Sequence, residues 1–362
     1  MTRKGKALLA AVAGLAAAAW ALGTAPAATR PLTRVVIGSS TRVKSPGFSN
    51  LWIGKYLGFY EEEGIEHDVF SAEGHAQNLQ LLFRNEVHLA VGAQDSVFQS
   101  AARGEHLPVK FVCSYMRGII YQLAARPDDP AREIKDLRGR KIGVASLAHA
   151  GLLYAKTVLR DAGIDPEKEA QFVAVGSGPQ AGQALQRGDV DVLAHWDVEY
   201  ANLENLGFKF RLLPQLPSVR EMYAGHALAT SEEFLRTNRD AVVRGLRALV
   251  KSLIVFNENP EAATRVHYKM FPELIPKGRP FEETIRVGTR ITEVRVPLMR
   301  KEAGRVNRWC EFHPEAWKAY VKFLGLEGKA DPAKYYTNEL VADINNFDEA
   351  KAIAQARALV VR

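Results

Sequence analysis

The chain has 362 residues, 47% of them hydrophobic, enough for a sizeable core and, by length, for two domains. Its formal charge of +7 falls to +4 without residues 1–27, which hold three basic residues and no acid, and no lysine or arginine block stands out, so the footprint of a nucleic-acid binder is not supported. Two cysteines exclude a disulfide framework or a zinc cage.

Arg3, Lys4 and Lys6 precede an uncharged apolar run from Ala7 to Leu22, and Ala25-Pro26-Ala27 offers small residues at a cleavage position. This is the pattern of a secretory signal peptide over 1–27. The run is rich in alanine and glycine and short of leucine and isoleucine, which argues against a retained membrane anchor. The first cysteine after it is Cys113, which argues against a lipid-anchored lipoprotein. Export permits Cys113 and Cys310 to pair, but the reading is two buried thiols.

A first strand is expected over Val35 to Gly38, followed by a long polar loop, Ser39 to Gly47, and a helix from Asn50 to Glu63 that stops at Gly64. Phe48, Ser49 and Asn50 stand where that helix starts, so Ser49 reads equally as a plain cap or as a donor facing a cleft. A second strand, Ile65 to Phe70, leads to Gly74 and His75 at a strand-to-helix turn. A third, Val87 to Val91, leads to Gln94. Pro108 to Tyr115 and Ile119 to Ala125 are two consecutive apolar strands, suited to a crossing between domains.

The same plan then repeats. Ile142 to Ala145 is a strand with Ser146 and His149 in its loop, and Gly176-Ser177-Gly178-Pro179 is a turn into a helix, with Ser177 as its polar side chain. The apolar run Val190 to Ala194 is a buried strand that delivers His195, Trp196 and Asp197 at its carboxyl end, where ligands sit in open α/β sheets. Arg-Asn-Glu-Val at 84–87 and Arg-Gly-Asp-Val at 187–190 precede the two third strands in matching order. One strand, helix, strand, helix, strand unit is used twice, and two such units facing one another make a cleft. Trp196 reads either as a seal between helix and sheet or as one wall of that cleft. Past a strand from Phe208 to Leu213 and Pro217, the chain returns to the first domain through Tyr223 to Ala229. It continues as a long helix, Asp240 to Phe256, and a helical tail.

Chemistry is poorly provided for. No Gly-x-Ser-x-Gly surrounds a serine, and the nine histidines show neither His-x-His nor His-Glu-x-x-His spacing, so no catalytic residue, metal or cofactor is assigned.

Trp52-Ile53-Gly54-Lys55-Tyr56-Leu57-Gly58-Phe59-Tyr60-Glu61-Glu62-Glu63-Gly64-Ile65 resembles a signature of the nitrate, sulfonate and taurine class of ABC-transporter substrate-binding proteins. That class is similar to the thiamine-precursor-binding, pyrimidine-synthase-like group. Asp136-Leu137-Arg138-Gly139-Arg140-Lys141-Ile142, Gly188-Asp189-Val190-Asp191-Val192 and Thr337-Asn338-Glu339-Leu340 extend the match. The resemblance implies an α/β, two-lobed periplasmic-binding-protein fold (type II) joined by two crossing strands. Lobe 1 is expected over 28–118 and 223–362, and lobe 2 over 119–222. It implies a periplasmic monomer that binds a small molecule and delivers it to ABC permease transmembrane subunits with a cytoplasmic ATPase. A ligand sensor of the same fold, or a pyrimidine-type biosynthetic enzyme, is the alternative, although the cysteine-rich catalytic segment of those enzymes is missing. Phe48, Trp196, Tyr115 and Tyr223 offer aromatic surfaces and Ser49, Asn50, Gln94, Ser146 and His149 hydrogen-bonding groups, which favours an organic ligand. Four helix N-termini at the cleft favour an anionic group on it.

Overall fold

A computed structural model describes residues 32–147, 149–220, 224–301 and 306–362. The expected signal peptide and Tyr223 lie outside the described residues.

Ten strands form two five-stranded sheets among these residues. In the first, β1 (Thr33–Ser39), β2 (Ile65–Ser71), β3 (Leu89–Val91), β4 (Val109–Ser114) and β10 (Ala227–Ser231) take the order β2-β1-β3-β10-β4. In the second, β5 (Tyr121–Ala125), β6 (Lys141–Val144), β7 (Gln171–Ala174), β8 (Val192–Trp196) and β9 (Arg211–Leu212) take the order β7-β6-β8-β5-β9. The two orders are the same pattern. In each, the three opening strands run parallel, and the fourth position is filled by an antiparallel strand that follows a crossing, β10 in one sheet and β5 in the other. The internal echo in the sequence is thus an echo in topology.

Local chemistry explains where the elements begin and end. The Lys141 N–H is taken by the Asp191 side chain, Oδ2 accepting it at 2.9 Å, and the apolar run that opens at Val190 joins the ladder only from Val192; β8 ends on Trp196 rather than Ala194. The helix expected over 50–63 is broken into a 3-10 turn (Pro46–Leu51) and two single α-turns (Ile53–Tyr56, Phe59–Glu62). Gly58 is the cause, standing between the α-turns at φ 81°, a left-handed conformation that glycine adopts without steric cost. Ser45 accepts the Gly47 N–H at the start of the 3-10 turn, where Pro46 takes the first position.

The helical stretch Glu232–Glu258 is kinked at Asn238, where φ is −130°, and beyond the kink it lays Val242, Leu246, Leu249 and Leu253, all fully buried, against the first sheet. Its periodic apolar stripe is why the helical tail has somewhere to pack. The sequence expectation of two buried thiols is corrected here: Cys113 and Cys310 form a disulfide that ties the end of β4 to the tail. The cause is a backbone contact that no spacing rule reveals, the Ser114 N–H donating to the Cys310 carbonyl at 3.1 Å. No helix among the described residues is long and apolar enough to cross a membrane.

Candidate ligand-binding site

The chain leaves the first sheet at Ser114, crosses over Tyr115 to Ile120, and enters β5; it returns to the first sheet through 224–226. The two crossings touch. Met116 N–H donates to the His226 carbonyl at 3.2 Å, and Gln94 Nε2 donates to the Gly225 carbonyl at 2.5 Å. Gly225 is required there, because a Cβ would sit 2.6 Å from the carbonyl oxygens of both Met116 and Gly118.

Above these crossings lies a cavity between the sheets. His75, Gln94 and Asp95 line it from the first sheet's loops, Tyr121, Leu153 and Tyr154 from the second sheet's side, and Tyr320 and Phe323 from the helix Pro314–Phe323. Its volume is about 40 Å³, room for a few waters and far below the roughly 300 Å³ at which small-molecule pockets begin.

The polar centre of the cavity is an ion pair, His75 Nδ1 to Asp95 Oδ1 at 3.2 Å. Burial is the largest single influence and alone would lower the imidazole's pKa and raise the carboxyl's, but the partner's charge and the hydrogen bond between them together outweigh it, helped at Asp95 by the Ser96 N–H, so His75 is held above the usual histidine value and Asp95 below the usual carboxylate value. His226, edge-on to His75 with ring centroids 5.2 Å apart, is pushed well down by burial and by the positive charges of His75 and Arg295. Gly92, at φ 79°, makes room for His75; a Cβ would stand 2.5 Å from its Nε2.

Beside the cavity the lobes meet along a seam. Arg295 is fully buried; its Nε and Nη2 donate to Asp197 Oδ2 and Oδ1 at 2.8 and 2.5 Å, and the Phe48 ring centroid lies 4.7 Å from its guanidinium carbon. Gly47 abuts Val198, which a Cβ would approach to 2.5 Å.

The thirteen residues expected at the site fall into groups. His75 and Gln94 line the cavity, Phe48 lies over Arg295 at the seam, Trp196 precedes Asp197 in the chain, and Ser49 and Asn50 are buried in the 3-10 turn. His149 caps the helix Ala150–Asp161 by accepting the Gly151 N–H at 3.1 Å, with its ring 5.7 Å from Tyr121 and 5.1 Å from Trp196. Tyr115 is buried at the crossing. Ser146 is exposed, Ser177 is half-buried in its turn, and Gly74 opens the helix Gly74–Phe83 with nothing near the position of a Cβ. His195 is fully buried and, by strand alternation, lies on the Leu193 face of β8, away from the Trp196 face. The cavity does not gather these last residues. Sequence reasoning missed Asp95, His226, Tyr121, Tyr154 and Tyr320. Asp95 follows Gln94 at the same strand end and was within reach of that argument; Tyr320 comes from a tail helix that carries no local sign of where it docks. Among the described residues no group of three or more His, Cys, Asp or Glu side chains is placed to hold a metal ion.

The family model described as NMT1/THI5 like matches residues 45–263. No curated protein matches the sequence. Among solved structures, the alkanesulfonate-binding protein SsuA from Xanthomonas axonopodis pv. citri, bound to MOPS, is 16% identical and superposes with a TM-score of 0.60 over 86% of this chain and 99% of that one. The periplasmic nitrate-binding protein NrtA from Synechocystis PCC 6803 is 12% identical, with a TM-score of 0.60 over 91% and 99%. The desulfurization enzyme DSZB is 15% identical, with a TM-score of 0.56 over 87% and 99%. At these identities the likeness is one of fold, the two-lobed α/β fold of the periplasmic binding proteins. With more than half of its length matched, this chain belongs to the NMT1/THI5-like family.

Proposed function

We propose that this protein is an extracytoplasmic solute-binding protein, exported by cleavage of residues 1–27. It captures a small organic anion between lobe 1 (28–118 and 223–362) and lobe 2 (119–222) and hands it to an ABC permease. The observation that carries this reading is the position of the cavity, lined from both sheets and floored by the two crossings, so that occupancy and lobe closure are one event. Its walls suit an aromatic or partly aromatic molecule: Tyr121, Tyr154, Tyr320 and Phe323 supply ring faces, and Gln94, His75 and His226 supply hydrogen-bonding groups. Alkanesulfonate and nitrate binding by proteins of the same fold supports solute capture and an anionic cargo.

A second reading is chemistry at the buried His75–Asp95 pair, since the desulfurization enzyme has the same fold. Among the described residues the cavity lining offers no serine, cysteine or lysine to act as nucleophile beside that pair, which favours binding. The test is a thermal-shift screen of the purified protein against sulfonates, aromatic carboxylates and pyrimidines, with the recovered compounds analysed by mass spectrometry. A solute-binding protein is stabilised by one class and returns it unchanged. Recovery of a converted compound favours the enzyme.

A further inference from the structure

A second hollow shares no lining residue with the cavity between the sheets. Its volume, about 300 Å³, is that at which small-molecule pockets begin. Its walls come from both halves of the fold: the helix Asp197–Asn205, which follows β8, and the helix Phe281–Glu293, which packs on the helix Pro260–Met270 and on the 3-10 turn Pro46–Leu51. The two helices lie against each other beneath the hollow. Asn205 Nδ2 donates to the Val287 carbonyl at 3.4 Å, and Gly47 sits where a Cβ would come within 2.5 Å of Val198 and 3.2 Å of the Ile291 carbonyl oxygen.

Spacing explains what each element presents. Ala201, Glu204 and Asn205 stand at i, i+3 and i+4 on one helix, and Arg290 and Val294 at i and i+4 at the end of the other, so each helix lines the hollow with one stripe. The third wall is the stretch that leads to β9. Phe208 and Phe210 are half-buried there and held from beneath, Phe208 against Gly182, where a Cβ would stand 2.6 Å from the ring, and Phe210 against Tyr200, with ring centroids 5.1 Å apart. Lys209, between them, is exposed.

The rim carries the chemistry. Glu204, Lys209 and Arg290 bring charges of both signs to one hollow, yet none of the three side chains has an ion pair or a hydrogen bond among the described residues. On the same helix as Arg290, Glu282 and Glu283 are paired, with Arg265 and Arg279. Opposite charges that face one hollow without meeting leave a field across it, and a molecule carrying both charges complements that field better than a simple anion or cation does.

We propose that this hollow is a second ligand site and that it takes an aromatic amino acid. The ring lies against Phe208 and Phe210, the carboxylate faces Arg290 and Lys209, and the ammonium faces Glu204. A bare carboxylate loses the Glu204 contact, and a bare amine meets two cations. The site goes beyond the solute-binding reading, which concerns the other cavity, and each can fail without the other.

L-Phenylalanine, 3-phenylpropanoate and 2-phenylethylamine share a ring and differ only in charge, and titration followed by ligand-observed NMR gives their affinities for the purified protein. L-Phenylalanine should bind tightest, 3-phenylpropanoate about fivefold more weakly, as befits one half-exposed charge contact, and 2-phenylethylamine weakest of all. Glu204→Gln should bring L-phenylalanine down to the level of 3-phenylpropanoate. Lys209→Ala/Arg290→Ala should weaken both acids at least fivefold. All three positions are exposed, so the variants keep the fold. Absence of saturable L-phenylalanine binding overturns the proposal. Affinities unchanged in both variants place the probes elsewhere, the other cavity included, and overturn it too. If 3-phenylpropanoate or 2-phenylethylamine binds as tightly as L-phenylalanine, the assignment of a zwitterion falls.

Discussion

Breaking the Cys113–Cys310 bond tests how the helical tail is fastened to the first lobe. The two residues are 197 positions apart, and the loop-entropy relation assigns a cross-link of that span about 5 kcal/mol at 25 °C. An unfolding entropy of about 2.1 cal/mol/K per residue gives about 0.7 kcal/mol/K over the roughly 335 residues left after residues 1–27 are removed, so losing the bond should lower the melting temperature by about 7 °C. Both sulfurs are fully buried, so a reductant reaches them slowly and a variant is the cleaner perturbation. Cys113→Ala/Cys310→Ala removes the cross-link and little volume. Differential scanning calorimetry of this double variant against the oxidised wild type measures the difference, and thiol titration in denaturant without reductant should find no free thiol in the wild type. A double variant that melts with the wild type, or two titratable thiols in the wild type, would refute the reasoning.

Trp196 is 7% exposed, pairs with Tyr121 across the β5–β8 ladder, and belongs to the main apolar core. Trp196→Ala should therefore cost roughly 3 kcal/mol or more of stability in urea unfolding, whereas a residue that is only a pocket wall would leave the urea midpoint in place and weaken binding by about 2 kcal/mol. Burial pushes His67 and His149 down to about 4, and His195 and His267 down to about 3. Between those values and the ordinary value near 6.5, each takes up its proton only on unfolding. Stability should therefore fall as pH drops from about 6.5 toward 4, by up to about 1.4 kcal/mol per pH unit for each group. Urea midpoints followed through that window check the sign, and a level midpoint contradicts it.

What the sequence displayed and what it hid follow from the range of the interactions. Strands announced themselves because alternation and apolar runs are local, and their ends slipped by a residue or two where tertiary contacts enter, as at β8, where the Asp191 side chain takes the Lys141 N–H. The break at Gly58 was in principle readable, but a lone glycine in a helical pattern is also tolerated, and Gly54 pointed the wrong way. Its glycine serves packing, since a Cβ would meet Ser252 Oγ at 2.2 Å. His75 and Gln94 were legible because each follows a strand end. His226 and Tyr320 reach the cavity only through the return crossing and the docking of the tail. Arg295 is the extreme case. On paper it is one more arginine after Arg286 and Arg290, and only complete burial against Phe48 and Asp197 sets it apart.

The central claim, that one solute is held between the lobes, is tested most directly by a crystal structure of the protein with the compound that stabilises it most. The account predicts the compound enclosed between Gln94, His75 and His226 on one side and Tyr121 and Tyr154 on the other. A compound bound on an outer face, touching only one lobe, would contradict it.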